Sequence, residues 1–246
     1  MNYQVKTKRA NIVFEDQNFL IANKPAGLLV IPDRFDQSAP CLFHQLLAKN
    51  PDLLLVHRID KNTSGLVSFA KNTKAQRHFT ELLMEKKIEK TYHALCHNAP
   101  KTETGTIDFY LKEDPTKKGK IIAAKKGKKA ISHFKVLEKW EKFSLIEIKI
   151  ETGRTHQIRV HLKNINCPIV ADDKYGISPA FYLSQLKRRK YKYKKDQVER
   201  PLVHRHALHS YSLRFKDLSG KFIEANVDMP KDMKAMKKQL DKFYEI

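Results

Sequence analysis

Short apolar runs broken by polar positions make up most of the first hundred residues. Asn11 to Asp16 and Phe19 to Asn23 read as β-strands, and the Lys24-Pro25-Ala26-Gly27 tetrapeptide that follows is turn chemistry. Cys41 to Lys49 reads as a short helix. Leu53 to Arg58 and Gly65 to Lys71 are apolar and of strand length, and they bracket the polar stretch from Ile59 to Ser64, where a loop at a sheet edge is expected. From Thr73 the period lengthens to 3.6, with Ala75, Phe79, Leu82 and Leu83 on one face and Lys74, Glu81 and Glu85 elsewhere, which predicts a helix. Beyond it, Glu89 to Cys96, Thr104 to Leu111, Ala130 to Trp140, Phe143 to Glu151, Leu208 to Lys216 and Lys221 to Val227 predict strands, several alternating as half-buried antiparallel strands do. Lys231 to Tyr244 predicts a last helix. Strands that neighbour strands, with few helices among them, give an α+β class with a mainly antiparallel, mixed sheet core.

Two basic segments interrupt this pattern. Lys117 to Lys129 holds seven lysines and no acid, and in Lys187 to Lys195 seven of nine residues are Lys or Arg, with Tyr191 and Tyr193 between them. Either run alone could be a solvated loop. Across the chain, 48 Lys and Arg stand against 27 Asp and Glu, a net charge of +21 over 246 residues, and that excess turns the expectation towards a polyanion. Aromatic rings among cations can also stack unpaired bases. Hydrophobic residues make up 41% of the chain, enough for a sizeable core.

The same survey removes several classes. No apolar run reaches the 18 or so residues of a membrane-spanning helix, and the N-terminus has no apolar stretch of the secretory kind, so a cytoplasmic protein is expected. Cys41, Cys96 and Cys167 are odd in number and far apart, which supports neither a disulfide framework nor a zinc ribbon. The glycines at 119 and 127 do not have the spacing of a phosphate-cradling loop. His156 and His161, five apart, do not share a helix face, and His204-x-His206 has no third ligand, so no metal site is expected.

Two segments carry more. In His57-Arg58-Ile59-Asp60-Lys61-Asn62-Thr63-Ser64-Gly65-Leu66, a carboxylate stands next but one to a guanidinium in a polar loop between apolar strands; Asp60 either caps the turn or does chemistry. In Glu151-Thr152-Gly153-Arg154-Thr155-His156-Gln157-Ile158-Arg159-Val160-His161-Leu162, a strand ends at a glycine turn and a helix begins, with Thr155 the expected N-cap and Arg154 at the junction.

Taken together these two stretches resemble the RluA family of pseudouridine synthases. Glu89 to Leu95, Ile169 to Gly176, and the opening Val13 to Asp16 with Asn23 to Leu28 fit the same family in the same order, so the resemblance covers about residues 11–230. Ile59 stands where Leu is usual, and Ala171 where Gly is common. The resemblance implies a cofactor-independent RNA uridine isomerase acting on ribosomal or transfer RNA. Asp60 maps onto its nucleophile, Arg154 onto the basic partner of that carboxylate, and Tyr92 onto the residue that stacks on the target base. Arg58 maps onto a guanidinium that can fill the vacated stack. Without the resemblance, Tyr92 would read as a core strand residue. One catalytic domain, residues 1–246, is expected, without the N-terminal S4-type RNA-binding module that many family members carry; the basic insertion at about 179–200 departs from the family pattern, and a monomer is expected.

Overall fold

A computed structural model describes residues 10–33, 36–187 and 198–244. In chain order the elements of the first half are β1 (Asn11–Glu15), β2 (Phe19–Lys24), α1 (Leu42–Leu47), β3 (Leu54–Leu55), β4 (Ser64–Ala70), α2 (Thr73–Met84), β5 (Glu89–His97) and β6 (Thr104–Glu113). Then follow β7 (Ile121–Ala124), β8 (Lys128–Lys139), β9 (Phe143–Ile150), α3 (Gln157–Asn164), α4 (Leu183–Lys187), β10 (Leu208–Lys216), β11 (Phe222–Asn226) and α5 (Lys231–Phe243). The chain divides into two compact units, residues 1–90 with 210–228, and residues 91–209 with 229–246.

In the first unit the strand order is β1-β2-β4-β10, with β3 paired to β4 and β11 to β10. The β1–β2, β2–β4, β3–β4 and β10–β11 pairs are antiparallel. All seven residues of β4 are buried, because both faces of the sheet are covered. Phe19, Ile21, Leu66 and Ala70 face a core built with Ala75, Phe79 and Leu82 of α2. Leu20, Ala22, Val67 and Phe69 face the other way, onto Leu42 and Leu46 of α1 and onto Leu28 and Val30. The Asn72 side chain caps α2 by accepting from the Ala75 N–H at 2.8 Å.

The second unit is a wholly antiparallel ladder in the order β5-β9-β8-β6-β7. Helix α3 lies against it with six consecutive residues, Gln157 to Leu162, buried; a helix buried all round belongs inside a fold. Helix α5 packs through Met233, Met236 and Leu240. Its Asp232 takes a two-pronged bond from the buried guanidinium of Arg205, at 2.8 and 3.0 Å.

Two expectations from sequence need correction, and one reading left open is decided. The strand expected over Leu53 to Arg58 is only Leu54 and Leu55; where the ladder would continue, the Ser68 N–H donates to His57 Nε2 instead. Thr155 is not the N-cap of α3. That position belongs to His156, which turns the chain through a left-handed conformation (φ 53°) and offers no side-chain cap. The Lys117 to Lys129 run is not a loose loop, since its Ile121–Ala124 core is strand β7, held by β6 and by packing of Ile121 and Ala123 beside Leu111, Ala130, Val160 and Tyr175. The second basic run lies outside the described residues after Lys187.

Candidate active site

The loop that carries Asp60 is irregular from Val56 to Thr63, yet it is tied down at three points. At its start, His57 Nε2 accepts the Ser68 N–H at 2.9 Å, and the ring lies parallel to Phe79 with centroids 5.8 Å apart. Because Nε2 is the acceptor, the imidazole is neutral with its proton on Nδ1. Burial, helped by the nearby charge of Lys90, pushes its pKa down to about 3. In the middle, Ile59 packs against the core cluster of Leu20, Leu28 and Val67. On either side of it stand exposed Arg58 and half-buried Asp60.

At the end of the loop, the Lys61 carbonyl accepts the Gly27 N–H at 2.9 Å and the Lys24 ammonium at 2.9 Å. Lys24 is fully buried. Its Nζ also donates to the carbonyls of Leu28 at 2.7 Å and Pro25 at 3.1 Å, so one cation fastens the Lys24 to Leu28 turn to the residue after Asp60. The loop then closes by a Thr63 N–H to Asp60 carbonyl bond of 3.1 Å. Gly65 enters β4 with φ +107°, and a Cβ there would lie 2.2 Å from the Ser210 carbonyl oxygen. This is the physical reason for glycine in the Thr-Ser-Gly sequence.

In the second unit, Tyr92 sits on β5 opposite Ile148 of β9 and is 6% exposed. Arg154 lies on the turn between β9 and α3 and is exposed. Its Nε donates to the Lys129 carbonyl at 3.1 Å, and its backbone N–H donates to Gln157 Oε1 at 3.1 Å. Beside it is a groove of about 560 Å³ lined by Lys112, Ile121, Gly127, Lys128, Gly153, Arg154 and Thr155, among others. Lys117, Lys118, Lys125, Lys126, Lys128 and Lys129 are all exposed around β7.

Two groups that sequence reasoning did not single out hold this region. The Tyr175 hydroxyl accepts the Ile121 N–H at 2.8 Å and meets His156 Nδ1 at 2.9 Å, joining the root of the lysine-bearing hairpin to the Arg154 turn. Buried Arg159 grips Asp172 with two 2.7 Å bonds, reaches Asp173 at 2.9 Å, and lies 5.1 Å from the Tyr175 ring centre. Burial alone would raise the Asp172 carboxyl, but Arg159 outweighs it and holds it below the usual range. The signal for both was the Asp-Asp-Lys-Tyr-Gly stretch, whose partners are distant in sequence.

Asp60 and Arg58 therefore share one fastened loop of the first unit, whereas Tyr92 and Arg154 belong to the second. Among the described residues no group of three His, Cys, Asp or Glu side chains could hold a metal ion, and no helix is long and apolar enough to cross a membrane.

The RNA pseudouridylate synthase family model matches residues 18–164. Over 231 residues the chain is 36% identical to ribosomal large subunit pseudouridine synthase D of Neisseria meningitidis, covering 91% of this chain and 59% of that protein. The corresponding protein of Haemophilus ducreyi is 32% identical over 235 residues, 90% of this chain and 68% of its own. An uncharacterised RNA pseudouridine synthase of Bacillus subtilis is 39% identical over 175 residues, 68% of this chain and 57% of its own. The chain thus spans between half and about two thirds of the length of these relatives. Among solved structures, human RNA pseudouridylate synthase domain containing 4 shares the fold, with a TM-score of 0.72 at 24% identity, covering 94% of this chain and 92% of that one.

Proposed function

The chain belongs to the RNA pseudouridylate synthase family, and we propose that it converts uridine to pseudouridine within RNA with Asp60 as the nucleophile. The observation that carries this reading is the loop of Asp60. It holds the family's residues in a segment clamped at its two ends, by His57 to β4 and by Lys61 to the buried Lys24 and to Gly27. A carboxylate needs a fixed direction to act on one bond, and a clamped loop supplies it.

The reaction is an isomerisation. The N1–C1′ bond breaks, the uracil turns, C5 bonds to C1′, and the proton lost from C5 is matched by one gained at N1. Asp60 adds to the uridine as nucleophile, and the bond it forms breaks again by the time C5 has joined C1′, which regenerates the carboxylate. The family resemblance gives Arg154 the role of the nucleophile's basic partner and Tyr92 that of stacking on the uracil. Taking the uridine out of its stack costs a few kcal/mol, which Arg58 offsets by filling the space. None of these steps calls for a cofactor.

The substrate we favour is ribosomal RNA of the large subunit, on the strength of relatives that bear that name at 32% and 36% identity; transfer RNA is the second choice. The exposed lysines around β7 are read as contacts to phosphates, which add affinity without sequence preference. The reading includes a monomeric, cytoplasmic enzyme, the first part checked by sedimentation and the second by cell fractionation.

The test is to incubate the protein with unmodified transcripts of ribosomal and transfer RNA and to map pseudouridine by carbodiimide-dependent stops. Wild type should give one or a few new stops and Asp60→Ala none. A protein that binds the transcripts but leaves no stop would instead be an RNA-binding member of the fold without catalysis.

A further inference from the structure

The turn that presents Arg154 is organised around one buried amide. Gln157, 3% exposed, opens α3, and its side chain makes four hydrogen bonds. Oε1 accepts from the Thr152 hydroxyl at 2.7 Å and from the Arg154 N–H at 3.1 Å. Nε2 donates to the Ile131 carbonyl and to Ser132 Oγ, both at 3.0 Å. Two donors and two acceptors are all that an amide side chain has, so Gln157 is saturated. The ring closes on itself, because the Ile131 N–H donates to Thr152 Oγ1 at 3.0 Å.

Ser132 extends the network to the fully buried His161, whose Nδ1 lies 3.0 Å from Ser132 Oγ. The hydroxyl accepts from Gln157 Nε2 and still has both a proton to give and a lone pair to offer to Nδ1, so a neutral His161 joins the network through it. Its pKa, pushed down to about 4 by burial, agrees with a neutral ring.

These bonds converge on the chain segments on both sides of the Arg154 side chain, two through backbone groups and two through hydroxyls. One holds its own N–H, another holds Thr152 two residues before it, and the Ile131 and Ser132 bonds fix β8 just beyond Lys129, whose carbonyl takes the Arg154 Nε–H. With Nε committed there, the two terminal guanidinium nitrogens have no hydrogen-bond partner among the described residues and keep their four donors for another acceptor.

We propose that Gln157 is a positioning residue of the reaction, acting through Arg154: its amide fixes the turn so that the guanidinium fork meets its acceptor ready aligned. The proposal rests on the role given above to Arg154. Because a saturated amide has no spare donor or acceptor for substrate, Gln157 acts only through the backbone it holds.

The experiment is a double-mutant cycle on pseudouridine formation in whichever unmodified transcript the wild type modifies. Gln157→Glu keeps the shape and the acceptor side of the amide but loses both donors. It should lower kcat by about tenfold to a hundredfold, the scale of a small misplacement of a reacting group, with KM for the RNA changed less than about twofold. In an Arg154→Ala background the same substitution should have almost no further effect on kcat. Losses that multiply in the double variant would show that Gln157 acts independently of Arg154 and would overturn the proposal. If Gln157→Glu does not fold, Thr152→Val removes a single hydroxyl from the ring and goes through the same cycle, with the same two outcomes. A wild type inactive on every transcript would overturn the reading of function, and this proposal with it, whereas an active wild type with independent losses overturns this proposal alone.

Discussion

The buried ammonium of Lys24 donates to the carbonyl of Lys61, the residue directly after Asp60, at a distance of 2.9 Å. This bond crosses 37 positions of sequence and joins the end of β2 to the candidate nucleophile's loop. Lys24→Met keeps the length of the side chain and leaves the carbonyls of Pro25, Leu28 and Lys61 without their shared cation. It should cost about 3 kcal/mol of stability and release the loop, so activity should fall further than the unfolded fraction alone explains. Urea unfolding together with turnover measured well below the midpoint checks both halves. Unchanged turnover in a destabilised variant would show that the clamp serves folding only.

Gly65→Ala is expected to be the most damaging single change in the first unit. A methyl group 2.2 Å from the Ser210 carbonyl oxygen cannot be accommodated without moving one strand, and the φ of +107° is strained for any residue with a Cβ. A loss of more than about 4 kcal/mol, seen as insoluble expression or a collapsed melting temperature, is the expected outcome.

Stability should also fall with acid in a defined window. His57 titrates at about 3 and His161 at about 4 in the folded protein, against about 6.5 when unfolded. Between these values the unfolded chain binds more protons than the native one, so stability is full above about pH 6.5 and declines as pH falls. Each imidazole contributes a slope of up to about 1.4 kcal/mol per pH unit, His161 ceasing near pH 4 and His57 near pH 3. His57→Gln, whose Oε1 can still accept the Ser68 N–H, should remove its share of that slope between pH 6 and 4. Equal slopes in variant and wild type would contradict a neutral His57 in the folded protein.

Replacing Lys125, Lys126 and Lys128 with Gln should weaken binding to every RNA alike. The slope of log affinity against log salt should shrink by roughly 2 for three lost single-strand contacts. Filter binding across a salt series measures it. An unchanged slope would return the β7 edge to the role of an ordinary solvated surface.

Arg154→Lys retains the charge but loses the Nε–H bond to the Lys129 carbonyl and the planar fork. Turnover should drop by about a hundredfold with RNA affinity little changed. Near-normal turnover would mean that charge alone suffices at this position.

Much of the strand pattern was legible because side-chain alternation is a local property. Leu208 to Lys216 and the start of α2 at Thr73 are found where the alternation and the 3.6 period put them. The misses arise where a partner from elsewhere decides. Ile121 to Ala124 gave no strand signal amid lysines, since what makes it β7 is pairing with β6 and the Tyr175 hydroxyl on the Ile121 N–H. Thr155 looked like a cap, but the left-handed turn at His156 displaces the helix start by one position and Gln157 satisfies the Arg154 N–H from inside. For the site, Asp60, Arg58, Tyr92 and Arg154 could be named from motifs. What fastens the Asp60 and Arg154 segments could not, because Lys24, His57, Gln157 and Tyr175 are recognisable only through the distant groups they bond.

The double-sided burial of β2 and β4 restricts where the chain can change its length. Odd and even positions of these strands feed different cores, Phe19 and Ile21 on one side and Leu20 and Ala22 on the other. Deleting or inserting one residue in either strand would send every following side chain into the wrong core. β4 begins four residues after Asp60, so the loop can neither lengthen nor shorten by borrowing from that strand. Gains and losses of sequence during divergence are therefore expected at the β1–β2 turn and the exposed connections of the second unit, while the spacing from Lys24 to Leu28 and from His57 to Ala70 stays constant.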